Sequence, residues 1–188
     1  MKRIICLCLC LVALLCGCGK GEEEEVKALQ QRYGELQKLT AQAEIICHLD
    51  GASRSFTVSC VWEPEGATTT VIAPEEIAGL RATVTGEELL LRYEGAALSA
   101  GVPTVLSPAA AVPWLLRSVS RGYLLDYGAE TLDGMACLRA AFDNTAPDGS
   151  KILCTVWFAR DTGAPCYAEF STDGTVALTV RMLAFDMT

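Results

Sequence analysis

The feature that most constrains this chain is a period-two alternation of apolar and polar side chains, which begins near residue 43. It is clearest in Ala43, Ile45, Cys47 and Leu49 and again in Phe56, Val58, Cys60 and Trp62. A period of two is that of a β-strand with one buried face. Gly51, Pro64–Gly66, Gly86 and Gly95 separate these runs as turn residues. The sequence therefore predicts a meander of short antiparallel strands.

Two segments have helical rather than strand spacing. Residues 22–40 carry apolar side chains three and four positions apart, which is typical of an amphipathic helix. A second helix is predicted over Ala109–Ser120, after Pro108. Because Pro113 lies inside this second segment, we expect an irregular or kinked helix.

Strand patterns resume after the second helix and continue to the end of the chain. The predicted strands are Tyr123–Tyr127, Met135–Phe142, Lys151–Ala159, Ala164–Ser171 and Thr175–Phe185. About ten strands with one apolar face must cover that face by closing on themselves or by packing helices across it. With two helices available, the predicted fold is α+β: a curved antiparallel half-barrel with an N-terminal helix and a mid-chain lid helix.

The N-terminus has the pattern of an export signal. Lys2 and Arg3 precede about a dozen uncharged residues, too few to span a bilayer as a helix. Leu15-Cys16-Gly17-Cys18 resembles the lipobox of bacterial lipoproteins. The resemblance implies a signal peptide over residues 1–17, lipidation at Cys18 and attachment to the extracytoplasmic face of the cell membrane. Glu22–Glu25 suggests that residues 18–25 form a flexible tether, followed by one domain over residues 26–188.

The charge and the cysteine content of the chain argue against nucleic-acid binding and against a metal or cofactor site. Loss of Lys2 and Arg3 with the signal lowers the basic residues from 15 to 13, against 23 acidic residues, so the mature net charge is −10. Such a surface disfavours nucleic-acid binding. Five cysteines remain after the lipobox, an odd number, so we expect no disulfide framework. They are widely spaced and the whole chain has one histidine, so we expect neither a metal site nor a cofactor.

The order of the predicted elements resembles the LolA/LolB-like lipoprotein-carrier superfamily across residues 26–185. The resemblance rests on three segments: residues 71–80, VIAPEEIAGL; the strand Glu87–Tyr93; and residues 156–165, VWFARDTGAP, which lead into Glu169-Phe170. It implies an unclosed half-barrel whose hollow can hold acyl chains. The carriers of the superfamily transport lipoproteins, whereas lipidated relatives such as the GerS-like germination lipoproteins act as partners of a cell-wall amidase.

Two functions follow as hypotheses from this pattern. The first is a membrane-anchored, non-catalytic lipoprotein that binds a protein partner or an apolar ligand, for example as a germination-type adaptor for a cell-wall enzyme. The alternative is a carrier or receptor for lipid or lipoprotein acyl chains. Co-purified lipid would favour the carrier, and a stoichiometric protein would favour the adaptor.

Aromatic and leucine side chains are the candidates for lining a hollow or, equally, for filling a core. They are Phe56, Trp62, Leu91, Tyr93, Trp114 and Phe158. Leu153 and Trp157 are out of phase with the apolar residues of their strand, so that strand is apolar on both faces and one face is expected to meet a helix or a partner.

Possible catalytic residues have simpler interpretations. Asp161-Thr162-Gly163 matches the string around an aspartic-protease carboxylate, but that chemistry needs a second such aspartate, and a hairpin turn explains the same residues. His48 lies on the polar phase of its strand, and Asp143-Asn144 has no calcium-loop spacing. The sequence thus predicts no enzymatic activity.

Overall fold

The computed structural model describes residues 19–49, 51–86, 88–101, 107–146 and 149–187. The described elements are two α-helices, one short 3-10 helix and eleven strands. The helices are α1 (Gly19–Gly34) and α2 (Ala111–Arg121), and the 3-10 helix is Glu75–Ile77. The strands are β1 (Leu39–Leu49), β2 (Ala52–Glu63), β3 (Gly66–Ala73), β4 (Arg81–Thr85), β5 (Glu88–Tyr93), β6 (Ala96–Ser99), β7 (Tyr123–Leu132), β8 (Met135–Thr145), β9 (Lys151–Ala159), β10 (Pro165–Thr172) and β11 (Thr175–Met187).

All eleven strands belong to one antiparallel sheet, in the order β6-β5-β4-β3-β2-β1-β11-β10-β9-β8-β7. The first and last strands of the chain, β1 and β11, pair at its centre, with Ile45 opposite Val180. Strands β6 and β7 are the two edges and do not pair with each other, so the sheet is curved but unclosed. The predicted α+β half-barrel is therefore confirmed.

The core lies between the two helices and the concave face of the sheet. The alternating residues of β1 and β2 point into it, with Ala43, Ile45 and Val58 each 0% exposed. Strands β8 to β11 contribute the larger side chains, led by Phe142, Phe158 and Phe170. The phase that the sequence predicts for β1 and β2 is therefore the phase that the fold buries.

Helix α1 begins earlier than the sequence predicts. Its first residue is Gly19, and Glu22 and Glu25 lie on it and contact Arg160. The described part of the segment predicted as a flexible tether, residues 19–25, is thus helical and packed on the sheet. A run of glutamates by itself indicates a solvated segment. The sequence could not show that these carboxylates pair with Arg160, because that residue lies about 135 positions further along the chain. Cys18 and the predicted signal, residues 1–17, lie outside the described residues.

Helix α2 has no break at Pro113, contrary to the predicted kink. The helix starts at Ala111, so Pro113 occupies the first turn, where a backbone N–H has no partner within the helix. Trp114 N donates to Ala110 O at 2.9 Å, and Val112, Leu115 and Val119 are buried against the sheet. No helix in the described ranges is both long enough and apolar enough to cross a membrane.

Candidate functional site

A groove lies between helix α2 and the β2–β3 and β4–β5 turns, and we call it the tryptophan groove. Trp62 and Trp114 line it, together with Ala67, Val84 and Leu116. The cavity volume is about 220 Å³. Of the six hollow residues predicted from sequence, these two tryptophans are the pair that the fold brings together in one cavity.

Charged side chains surround the tryptophan groove. Arg117 lies one turn beyond Trp114 on α2, with its guanidinium carbon 4.8 Å from the indole centroid, a cation–π contact. Arg121 lines the same groove, as do Glu63 and Glu65. Lys38 Nζ lies 3.2 Å from a carboxylate oxygen of Glu63. The sequence analysis did not identify these residues, although the spacing of Trp114 and Arg117 on a helix could have indicated the pair.

The other predicted hollow residues lie elsewhere. Phe158 is 0% exposed and packs edge-on against Tyr33, with ring centroids 5.9 Å apart. Phe56 is half-buried against the same core. Leu91 and Tyr93 lie on β5, next to the edge strand β6, and the Tyr93 hydroxyl donates to Glu76 O at 3.1 Å. Phe158 thus belongs to the core and also lines a second cavity, of about 310 Å³, between α1 and the sheet.

Leu153 and Trp157 lie on the convex face, opposite to the core-facing residues of β9. Trp157 pairs with Arg139 on β8 and Tyr167 on β10, and its ring centroid is 5.4 Å from that of Tyr167. The indole is 9% exposed, and its Nε1 has no hydrogen-bond partner among the described residues.

Two exposed apolar residues extend this region to the sheet edge. Tyr123 pairs with Asp143, which pairs with Leu153, so the three lie in one row across β7, β8 and β9. Tyr123 is 74% exposed, and Leu125, at a β-bulge two residues further along β7, is 54% exposed. We call Tyr123, Leu125, Leu153 and Trp157 the convex patch. The two β7 residues were not among the predicted site residues, because the apolar alternation over residues 123–127 is weak.

The residues considered for catalysis occupy ordinary structural positions. Asp161 is exposed in the β9–β10 turn, where Gly163 has φ of +69°. This turn packs on α1: Arg32 donates to Thr162 O at 2.9 Å and Tyr33 Oη donates to Gly163 O at 3.0 Å. His48 is exposed, with Nδ1 3.0 Å from Ser53 Oγ. Within the described ranges, no group of three or more His, Cys, Asp or Glu side chains is arranged to hold a metal ion.

The five described cysteines are free thiols in strands, and four of them are buried. Burial raises the pKa of Cys60 to about 11 and that of Cys154 to about 12. Burial, with a smaller contribution from neighbouring Cys137, raises the pKa of Cys166 to about 12. Because the thiolate is the nucleophile, these three side chains are poor nucleophiles in the folded protein.

Comparisons with known proteins give similarity in fold rather than in sequence. No protein-family profile matches the chain, and no curated protein is significantly similar. Three solved structures superpose over most of their length. An uncharacterized conserved protein from Thermus thermophilus has a TM-score of 0.54 at 10% identity, covering 88% of this chain and 87% of its own.

The other two have a TM-score of 0.50 at 11% identity. One is a domain from Vibrio parahaemolyticus assigned to outer membrane lipoprotein sorting, with 89% of this chain and 93% of that chain covered. The second is a DUF1329 family protein from Desulfovibrio piger, with 87% and 90% covered. The chain thus shares with these three structures its fold, a curved antiparallel sheet that does not close.

Proposed function

We propose that this chain is a non-catalytic lipoprotein, anchored through Cys18 to the extracytoplasmic face of the cell membrane, that binds a protein partner. A germination-type adaptor for a cell-wall enzyme is the specific form of this proposal. The supporting observation is that α2 packs into the concave side of the sheet. Leu115 and Val119 of α2 are each 0% exposed against the sheet, and the tryptophan groove has a volume of about 220 Å³. The volume of the tryptophan groove is below the roughly 300–1,000 Å³ of pockets for drug-sized ligands, and the cavity between α1 and Phe158, of about 310 Å³, is at the lower end of that range.

The convex patch is the proposed docking surface. It combines two exposed apolar side chains on an edge strand, Tyr123 and Leu125, with the half-buried Leu153 and the largely buried indole of Trp157. An edge strand also presents backbone groups that a partner strand can pair with. Aromatic side chains with a polar group are enriched in protein interfaces.

The second candidate function is transport of a lipid or lipoprotein acyl chain. The observation that favours it is the tryptophan groove, where two indoles and Leu116 offer apolar walls beside the cations Arg117 and Arg121. An amphiphile with an anionic head group has the matching chemistry.

Native mass spectrometry of the protein gently extracted from its own membranes tests the two functions. The adaptor proposal expects a stoichiometric protein in the complex, and Leu125→Asp should remove it by placing a carboxylate in the convex patch. Leu98→Asp is the matched control, because Leu98 is also exposed (63%) and lies on the opposite edge strand, β6. That variant should keep the partner. Co-purified lipid that Trp114→Ala removes, with no bound protein, would instead support the carrier.

A further inference from the structure

Helix α1, which contains the first described residues of the chain, packs against one end of the half-barrel. We propose that this end, which carries the β7–β8 and β9–β10 turns, faces the lipid bilayer at short range and in a defined orientation. The inference rests on the proposed anchoring through Cys18 and adds which surface of the domain meets the membrane.

The contacts of α1 are spread along its length. Arg160, just after β9, lies 3.3 Å from Glu22 and 3.1 Å from Glu25. Tyr127 Oη on β7 donates to Glu23 at 3.3 Å. Arg32 and Tyr33, near the other end of the helix, bond the β9–β10 turn, and Val26 is 0% exposed in the core. The helix therefore cannot swing away from the sheet as a flexible tether would.

The reach of the chain before this helix is short. Helix α1 begins at Gly19, the residue after Cys18, and even a fully extended chain from Cys18 to Glu22 would span at most about 14 Å. Strand β9 has nine residues, which corresponds to a length of roughly 30 Å. A lipid on Cys18 would therefore hold the end near Arg160 close to the head groups and keep the opposite end well away from them.

The strand pairing shows which turns share each end. Cys137 is opposite Ala159, and Arg160 N donates to Ala136 O at 3.3 Å, so the β7–β8 and β9–β10 turns lie together. The β10–β11 turn follows Thr172, which pairs with Thr175, and Ser171 is opposite Leu153 near the start of β9. This third turn therefore lies at the far end of the sheet.

Charge at the proposed membrane end is also compatible with close approach. Carboxylates are repelled by anionic lipid head groups, and the run Glu22–Glu25 looks unfavourable in the sequence. In the fold, Glu22 and Glu25 pair with Arg160, and Glu23 pairs with Lys27 at 2.6 Å. Three of the four carboxylates thus pair with two cations of the same chain, Arg160 and Lys27, which halves the charge of the run from −4 to −2. The exposed side chain of Met135 (49%) adds an apolar contact at this end.

Photo-crosslinking of the full-length, membrane-bound protein tests the orientation. A benzophenone-bearing amino acid replaces either Met135 or Thr175. These positions are matched, since each is exposed and opens a strand after an Asp-Gly turn, at opposite ends of the sheet. Illumination should give lipid adducts at position 135 in at least about five-fold greater yield than at position 175, because a separation of roughly 30 Å exceeds the head-group region.

A linker variant tests the role of the short connection. Ten Gly/Ser residues inserted between Cys18 and Gly19 add a coil of roughly 17 Å mean span, which should lower the yield at position 135 to the level at position 175. Equal yields in the lipidated parent, or a linker without effect, would overturn the inference while leaving the anchoring intact. The mass of the N-terminal peptide of this protein, isolated from the membrane fraction, shows whether Cys18 carries lipid. If it carries none, both the proposed anchoring and the proposed orientation are wrong.

Discussion

At the scale of single residues, the side chains of β9 alternate between the core and the convex face of the sheet. Cys154 and Phe158 face the core and are each 0% exposed, whereas Leu153 and Trp157 face the convex side. The sequence predicts this division because side chains alternate along a strand. It does not predict what covers each side chain, since Tyr33, which packs on Phe158, reaches β9 from a distant segment.

The buried thiol of Cys154 should make the protein less stable in alkali. Burial raises its pKa from 9.0 to about 12, so the unfolded thiol ionises while the folded thiol stays protonated. Its contribution to stability is complete below pH 9 and is lost as the pH rises towards 12, at a limiting rate of about 1.4 kcal/mol per pH unit.

Urea unfolding at pH 8 and pH 10 measures this effect. Cys154→Ala should lose about 1 kcal/mol less between the two pH values than the parent protein does. Val156→Ala is the control, because this fully buried neighbour on the same strand has no titrating group and should lower stability equally at both pH values. An identical pH dependence in parent and Cys154→Ala would contradict the assignment.

At the scale of elements, strands were predicted more accurately than helix ends. The predicted strand Lys151–Ala159 matches β9, because apolar alternation and the flanking turn residues are both local signals. The predicted strand Tyr123–Tyr127 is only half of β7, which ends at Leu132. Helix α1 starts within the predicted tether, and two of its glutamates pair there with Arg160, a contact between residues far apart in the chain.

Arg160→Gln should loosen the first turns of α1 without unfolding the domain. The pairs with Glu22 and Glu25 are partly exposed, so we expect a loss of no more than about 1 kcal/mol in overall stability. Hydrogen exchange should quicken for amides near Glu25 and stay unchanged in β9. Lys151→Gln, which removes a similar exposed pair with Asp143, is the control. Unaltered exchange in α1 would show that the helix is held by its apolar face alone.

At the scale of the whole molecule, the two candidate functions differ in the space between sheet and helices: an acyl-chain carrier needs an open hollow, whereas an adaptor does not. Sequence analysis left this choice open because the same aromatic residues could line a hollow or fill it. The fold places Phe158 in the core and leaves Trp62 and Trp114 around a small groove. The volume between sheet and helices depends on the curvature of eleven strands together, which no local pattern reports.

Enlarging the tryptophan groove should create the ligand binding that the parent protein lacks under the adaptor proposal. Leu116→Ala removes a buried side chain from its wall and should increase the affinity for a fluorescent long-chain fatty acid at least about ten-fold, if the apolar chain fills the new space. Val119→Ala, on the same helix but away from the groove, should lower stability without increasing binding. Fluorescence titration measures both variants. Tight binding by the parent would instead support the carrier.

The sequence by itself determined the strand phases, the turns and the α+β half-barrel, because alternation, glycine and proline act over a few residues. It also determined the lipobox resemblance that predicts lipidation of Cys18. Only the tertiary structure decided that α1 packs against the sheet, that α2 packs into its concave side, and that Tyr123 lies in one row with Leu153 on the convex face. These outcomes depend on contacts between segments far apart in the chain, and such contacts form only when the sheet curves around its two helices.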